Sequence, residues 1–511
     1  MTRERLTLAI LLASIFLVRA IHPDQPIVEN YVGRQIPTAM VARNLERGSG
    51  FLHPQLDTGP FPNLFLVEPP IYAQLVASFR PIGGLKLEPT GRLISAASVA
   101  LAAWGLFGLV RRREGLTVAF LALASFGFFP VMIRYGRAFQ PDALMLGCVL
   151  AGLRGWDEYE VAGDRRWAVV GGFVLAIGLA VKITVGWALI PFLLIVGRWS
   201  WPRRLVVSAL MIVPAVLWYL YALNEVDHPG SGSLAHVETT NLWMKVLFST
   251  DVWLRFSTYE NLARGLFYGS FTPVGFVLAF YGLVASGKLD RLWLGWAVGC
   301  AISIVGLASK WHHAYYWMVV APLAAVGLAR ALVHLGRWGK YGRSFAIGLG
   351  SFFLAMCVAQ SVSTFRTPSE WESLNEATRK LKTFNPTDQL VIASEAVLYQ
   401  SDLKGYRLEF NPEAMSRASL EWRIALRMPE KPLSLVEFYW KAHSLGFLDD
   451  SKPIELQGRS RFPSKNIRLL VADVGPTEIG PRRKAWREAI RNRPNTTILA
   501  DEPGYLIAEL R

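Results

Sequence analysis

The sequence predicts an α-helical polytopic membrane protein of about eleven transmembrane helices, followed by a C-terminal α/β domain outside the membrane. Three observations predict it. Of 511 residues, 52% are hydrophobic and only 18% charged, against about 25% charged in ordinary soluble domains. Apolar runs near spanning length recur from residue 6 to residue 364, and a span needs roughly 20 such residues. Beyond residue 364 the sequence turns mixed and charged, with no run long enough to span. The net charge of +15 admits a nucleic-acid surface or the cytoplasmic face of a multi-span protein, and the positions of Lys and Arg decide between them.

The first run, 6–21, follows Arg3 and Arg5. A basic start and an apolar stretch also describe a signal peptide. No small-residue cleavage site precedes His22 and many spans follow, so the run reads as an uncleaved anchor. Further runs occupy 93–110, 115–133, 141–153, 167–181, 183–197, 205–223, 266–286, 292–309, 316–335 and 344–364. The stretch 167–197 is read as two spans meeting near Lys182 on the outer side. Every strongly basic short segment then shares the cytoplasmic side with the N-terminus. These segments are 1–5, 111–114, 154–166, 198–204, 287–291 and 336–343. Together they hold 16 Lys/Arg and 7 Asp/Glu, so most of the charge excess is a topology signal and no nucleic-acid partner is expected. Cys148, Cys300 and Cys357 lie inside apolar runs. They read as small core residues, not as disulfides or zinc ligands.

Three outer pieces remain: 22–92, 224–265 and the tail 365–511. The tail predicts helices near 369–382, 431–446 and 481–492 alternating with strands near 389–394, 467–473 and 504–510, an α/β pattern. Its basic stretch Arg482-Arg483-Lys484 reads as a solvated helix start. The expected domains are 1–364, with the 22–92 loop included, and 365–511. The sequence has no internal repeat, which disfavours transporter folds built from repeated halves.

Loop 22–92 is too long for a simple connector, and long ordered loops are usually functional. It carries six basic and six acidic residues. Two amphipathic stretches, 36–46 and 71–80, are expected to lie in the membrane interface. Asp24 and Glu29 follow the first span closely. Glu68 precedes Pro69-Pro70, which sets an extended approach to the next helix.

An acid soon after the first span, then Arg34-Gln35 with Thr38-Ala39 and Ala42-Arg43-Asn44, a Pro/Gly-rich run, and Glu68-Pro69-Pro70-Ile71-Tyr72, resembles the first outer loop of family-39 membrane glycosyltransferases of the GT-C fold class. That class includes protein O-mannosyltransferases and the aminoarabinose transferase of lipid A. Segments 130–144, 178–193 and 310–322 are similar to later segments of the same family. The resemblance covers roughly 1–340. The family's adjacent acidic pair is split here into Asp24 and Glu29, and either fits its catalytic acid.

The resemblance implies an integral plasma- or inner-membrane enzyme that moves a sugar from a polyprenyl-phosphate donor to a glycan, lipid or protein acceptor on the outer face, with inversion. Such chemistry needs a carboxylate to take the acceptor's proton and cationic groups or a metal to stabilise the departing phosphate. Glu29 and Asp24 are the candidate bases. Arg34, Arg137, Lys182 and Lys310 are the candidate phosphate-binding cations, Lys182 because an ionisable group at membrane depth defaults to function. Glu68, Tyr72, Asp142 and His313 are expected to position substrate. A divalent metal ion is compatible with the chemistry, but no residue pattern requires one, and the adjacent His312 and His313 point to different faces. A transporter or flippase of lipid-linked sugars is the alternative function. The clustering of acids in an outer loop, rather than at mid-membrane, favours the transferase.

Overall fold

The computed structural model describes residues 3–29, 32–58, 63–226, 250–307, 310–311, 313–384, 391–407, 469–475, 484, 487–488, 490–492 and 496–510. The expected 431–446 helix, His312 and Arg482-Arg483 lie outside these. The chain divides into two compact units: Met1–Gln25, Glu68–Leu220 and Leu242–Arg366 form one, and Pro26–Val67, Tyr221–Asn241 and Thr367–Arg511 the other. The first outer loop is therefore split, its middle grouping with the C-terminal tail rather than with the membrane helices.

The first unit is helical. Among the described residues, Leu87–Glu114, Trp201–Glu225 and Gly342–Trp371 are long and apolar enough to cross a membrane, and Phe256–Ser270 with Pro273–Val284 makes a fourth if that bent pair is one span. Shorter apolar helices include Leu116–Phe128, Arg291–Gly306 and Ala321–Leu335. The Leu87–Glu114 helix shows how sequence sets these limits. Its 28 residues reach about 42 Å at 1.5 Å per residue. It closes on Arg111–Arg113, where cations suit the carbonyl end, and on Gly115 at φ 86°. Asp142–Ala162 runs well past the expected 141–153 and stops at left-handed Gly163. Asp164 then caps Arg165–Val181 by accepting from the Arg166 amide at 2.9 Å.

Two places depart from straight helix. At Lys182 the chain becomes extended (φ −150°, ψ 107°) before the 3-10 turns Ile183–Ala188 and the helix Leu189–Ile195. The expected single run 266–286 is instead bent by 102°. Thr272 takes φ 64°, its side chain accepts from the Gly275 amide at 3.0 Å, and Pro273 opens the new helix. Close helix packing rests on glycine. A Cβ on Gly155 would collide with Gly171, and one on Gly282 with the Gly327 carbonyl, the small-residue contact that lets apolar helices approach.

The second unit is built on a five-stranded sheet of order Gly405–Arg407, Val391–Ala393, Leu469–Val474, Tyr505–Leu510, Thr496–Glu502. The first two pairings are parallel and the last two antiparallel. Its inner positions Val391, Ala393, Leu470, Ala472, Leu506 and Ala508 are buried. Asp473 and Arg487 form a buried ion pair at 2.7 Å. The loop helix Val32–Glu46 belongs to this unit and is not an amphipathic surface helix. Ile36, Ala39 and Met40 are buried, but so are Arg34, Gln35 and Asn44. Arg43 donates to the Tyr399 carbonyl at 2.7 Å and to Asp57 at 2.5 Å, and the Gly405 amide donates to the Asp57 carbonyl at 3.0 Å. Arg43 thus binds the loop to the helix Glu395–Ser401 and the Asp57 carbonyl binds it to the sheet edge, which is why a pattern of apolar spacing misjudges the helix.

Candidate active site

In the first unit, the break at Lys182 and the start of Asp142–Ala162 place a cation against an acid. Lys182 Nζ lies 2.6 Å from Asp142 Oδ1, and both residues are buried. The ammonium also stands over the rings of Tyr315 and Tyr316, 4.9 and 5.4 Å from their centroids. Tyr315 meets Tyr135 edge-on at 6.0 Å and stacks on His313 at 5.7 Å. Three expected site residues therefore meet here: Lys182, Asp142 and His313. An ammonium has three N–H donors, and one goes to Asp142. Among the described residues, Asp142 Oδ2 and both amide atoms of fully buried Gln140 find no hydrogen-bond partner. Buried polar groups normally have partners, so this corner is polar beyond its own needs. Gln140, Tyr135, Tyr315 and Tyr316 were not expected; the Tyr-Tyr pair stands within the recognised 310–322 segment, but nothing in the sequence singles out Gln140.

The turn after the first helix is held in the same unit. Arg137 donates to the carbonyls of Ile21 and His22 at 2.8 Å each, to Gln25 Oε1 at 3.1 Å and to the Thr364 carbonyl at 3.0 Å, and it stands over Phe365 at 4.9 Å. Arg92 donates to the Pro23 carbonyl at 2.9 Å and to the Gln25 carbonyl. Both arginines are fully buried, whereas Asp24 is exposed. These bonds tie Arg137, expected to bind phosphate, to the turn at residues 21–25. Tyr72, expected to position substrate, is buried and hydrogen-bonds the Gly91 carbonyl at 2.8 Å and Ser95 Oγ at 2.9 Å on the Leu87–Glu114 helix. Glu68 is buried beside it in sequence. Lys310 is half-buried, and its carbonyl accepts from the His313 amide at 3.0 Å.

The remaining expected residues lie in the second unit. Glu29 is 2% exposed, and its carbonyl accepts from Gln35 Nε2 at 2.7 Å. Arg34 lies over Phe65 at 5.6 Å. Among the described residues no three His, Cys, Asp or Glu side chains converge as a metal site.

Residues 67–225 match the family profile of dolichyl-phosphate-mannose-protein mannosyltransferases. No curated protein matches the chain. Among solved structures, ArnT from Cupriavidus metallidurans bound to undecaprenyl phosphate is similar, with a TM-score of 0.61 at 13% identity over 98% of this chain and 97% of that one. Arabinofuranosyltransferase AftD from Mycobacteria matches with a TM-score of 0.55 at 14% identity, over 100% of this chain and 40% of that chain. Archaeal oligosaccharyltransferase AglB from Archaeoglobus fulgidus, in complex with an inhibitory peptide and a dolichol-phosphate, matches with a TM-score of 0.53 at 13% identity, over 92% and 69%. The chain has the fold of the GT-C membrane glycosyltransferases, and three or four of its described helices are long and apolar enough to cross a membrane.

Proposed function

We propose that the protein transfers a sugar from a polyprenyl-phosphate donor to an acceptor on the outer face of the membrane, with inversion. The observation that carries this is the buried Lys182–Asp142 pair beneath Tyr315 and Tyr316, in a chain sharing its fold with ArnT over nearly its whole length. Asp142 orients the ammonium and leaves two of its donors for a phosphate. A desolvated cation stabilises developing negative charge better than one in water. The acceptor oxygen attacks the anomeric carbon, the bond from that carbon to the phosphate oxygen breaks, and the electron pair leaves with the lipid phosphate. The acceptor's proton passes to a carboxylate.

Asp24 is the better base of the two candidates. A base must come within hydrogen-bond reach of its substrate, and Asp24 is exposed on a braced turn while Glu29 is 2% exposed. The bound undecaprenyl phosphate of ArnT supports the donor class. Purified protein given a polyprenyl-phosphate-linked sugar and acceptor is expected to release free lipid phosphate. Asp24→Asn is expected to abolish release. If Glu29→Gln abolishes it and Asp24→Asn does not, the assignment reverses; if neither does, no base has been found. Transport of a lipid-linked sugar without cleavage would appear as movement of donor between leaflets with no free phosphate.

A further inference from the structure

We propose that Arg92 and Arg137 act together as a guanidinium clamp that positions Asp24, an inference that rests on the assignment of Asp24 as the base. Four of the five carbonyls at positions 21–25 accept from these two arginines: Ile21 and His22 from Arg137, Pro23 and Gln25 from Arg92. Asp24 lies between the two residues, Pro23 and Gln25, whose carbonyls Arg92 holds. Both guanidinium-bearing residues are fully buried, and a charge withdrawn from water needs several acceptors to offset its desolvation. The five-residue turn supplies four backbone carbonyls and the Gln25 side-chain oxygen.

The turn would not hold this shape unaided. His22 has φ 47°, a left-handed conformation that side chains other than glycine adopt at a cost of roughly 1–3 kcal/mol. Such a residue persists where its surroundings over-determine it, and here the Arg137 bond to the His22 carbonyl fixes it directly. Arg137 further ties the turn to Gln25 Oε1 and to the Thr364 carbonyl. Arg137 also stands five residues before Asp142, in the segment that leads into the Asp142–Ala162 helix. The clamp therefore joins the exposed carboxylate to the same stretch of chain that carries the partner of Lys182. A general base and a phosphate-binding cation need a fixed mutual geometry, because small misplacements are costly.

A clamp and a phosphate ligand predict different kinetics. Arg137→Lys and Arg92→Lys keep the charge but lose the planar fork that serves two carbonyls at once. Each is expected to lower kcat about 10- to 100-fold while the KM for a polyprenyl-phosphate sugar stays within about twofold, since the Lys182 pair is untouched. The double variant is expected to be little worse than the more severe single one, because the two arginines fix one turn. Gln25→Leu removes one acceptor without altering either arginine, and is expected to lower kcat a few-fold at unchanged thermal midpoint. It keeps the test decisive if an arginine variant fails to fold. Loss of kcat on Asp24→Asn with kcat unchanged in Arg92→Lys, Arg137→Lys and Gln25→Leu overturns the clamp alone. A defect confined to donor KM overturns it in favour of a phosphate ligand. Turnover that survives Asp24→Asn overturns the base assignment and the clamp with it.

Discussion

Lys182 is legible in sequence because a lone lysine between two apolar runs is costly and demands a reason. Its partner is not legible, since Asp142 lies forty residues away and only the fold brings the two together. The pair makes opposite demands on its members. Removing the cation, as in Lys182→Met, is expected to lower turnover about 10²- to 10³-fold, the scale of losing one preorganised electrostatic group. Asp142→Asn leaves a buried ammonium without its counter-charge, and is expected to reduce both thermal midpoint and turnover. Turnover assays and thermal scans of both variants in detergent check this; wild-type turnover in Lys182→Met would remove that residue from the site. Arg137 is legible in the same way, as a charge near an outer helix end, but the carbonyls it serves at residues 21, 22 and 364 are distant in sequence and only the fold brings them together.

At the scale of elements, two helix ends were readable from local chemistry, the Arg111–Arg113 run and the break at Lys182, whereas the stop at Gly163 lies ten residues past the expected end at 153. The 102° bend between Phe256–Ser270 and Pro273–Val284 was not readable, because an apolar run with an internal Thr-Pro looks like a continuous span. One interhelical tie can be tested directly. Arg330 is buried in Ala321–Leu335 and meets Glu114 at 2.7 and 2.9 Å. Glu114→Ala is expected to destabilise by about 1–3 kcal/mol, since Arg330 keeps acceptors at Gly282, Ser286, Gly287 and Lys288, read as a fall in thermal midpoint. A second test concerns the edge of the sheet. Asp501 accepts from Arg491 at 2.7 and 2.8 Å, and these bonds hold its carboxyl below the ordinary 3.8. Glu376 is held below its ordinary 4.5, chiefly by the Tyr505 hydroxyl at 2.9 Å and also by the charge of Lys380. A depressed carboxyl contributes stability above its unfolded value and loses it as pH falls through the folded one. Stability of the full chain is therefore expected to fall on acidification below about pH 4.5, with a shallower slope in the Asp501→Asn, Glu376→Gln double variant.

For the whole molecule, the sequence divides cleanly at residue 364 by composition, but compactness divides it differently. Residues 26–67 join the tail through Arg43 and Arg47, which both reach Asp402, pairings separated by more than three hundred positions that no local pattern encodes. What charge does encode is orientation. The tail and the cytoplasmic loops should lie on opposite sides of the membrane, and the native cysteines make this testable without first removing them. Cys148, Cys300 and Cys357 are at most 5% exposed, so thiols added at exposed positions dominate labelling. Lys404, in the tail, and Arg203, in the first turn of the helix Trp201–Val226 at the basic 198–204 segment, are both exposed. A membrane-impermeant maleimide added to intact cells is expected to label Lys404→Cys and leave Arg203→Cys unlabelled, with both labelled after permeabilisation. The reverse pattern would place the tail inside, and with it the side on which acceptor is met. Equal labelling of both in intact cells would mean that the basic loops do not orient the chain.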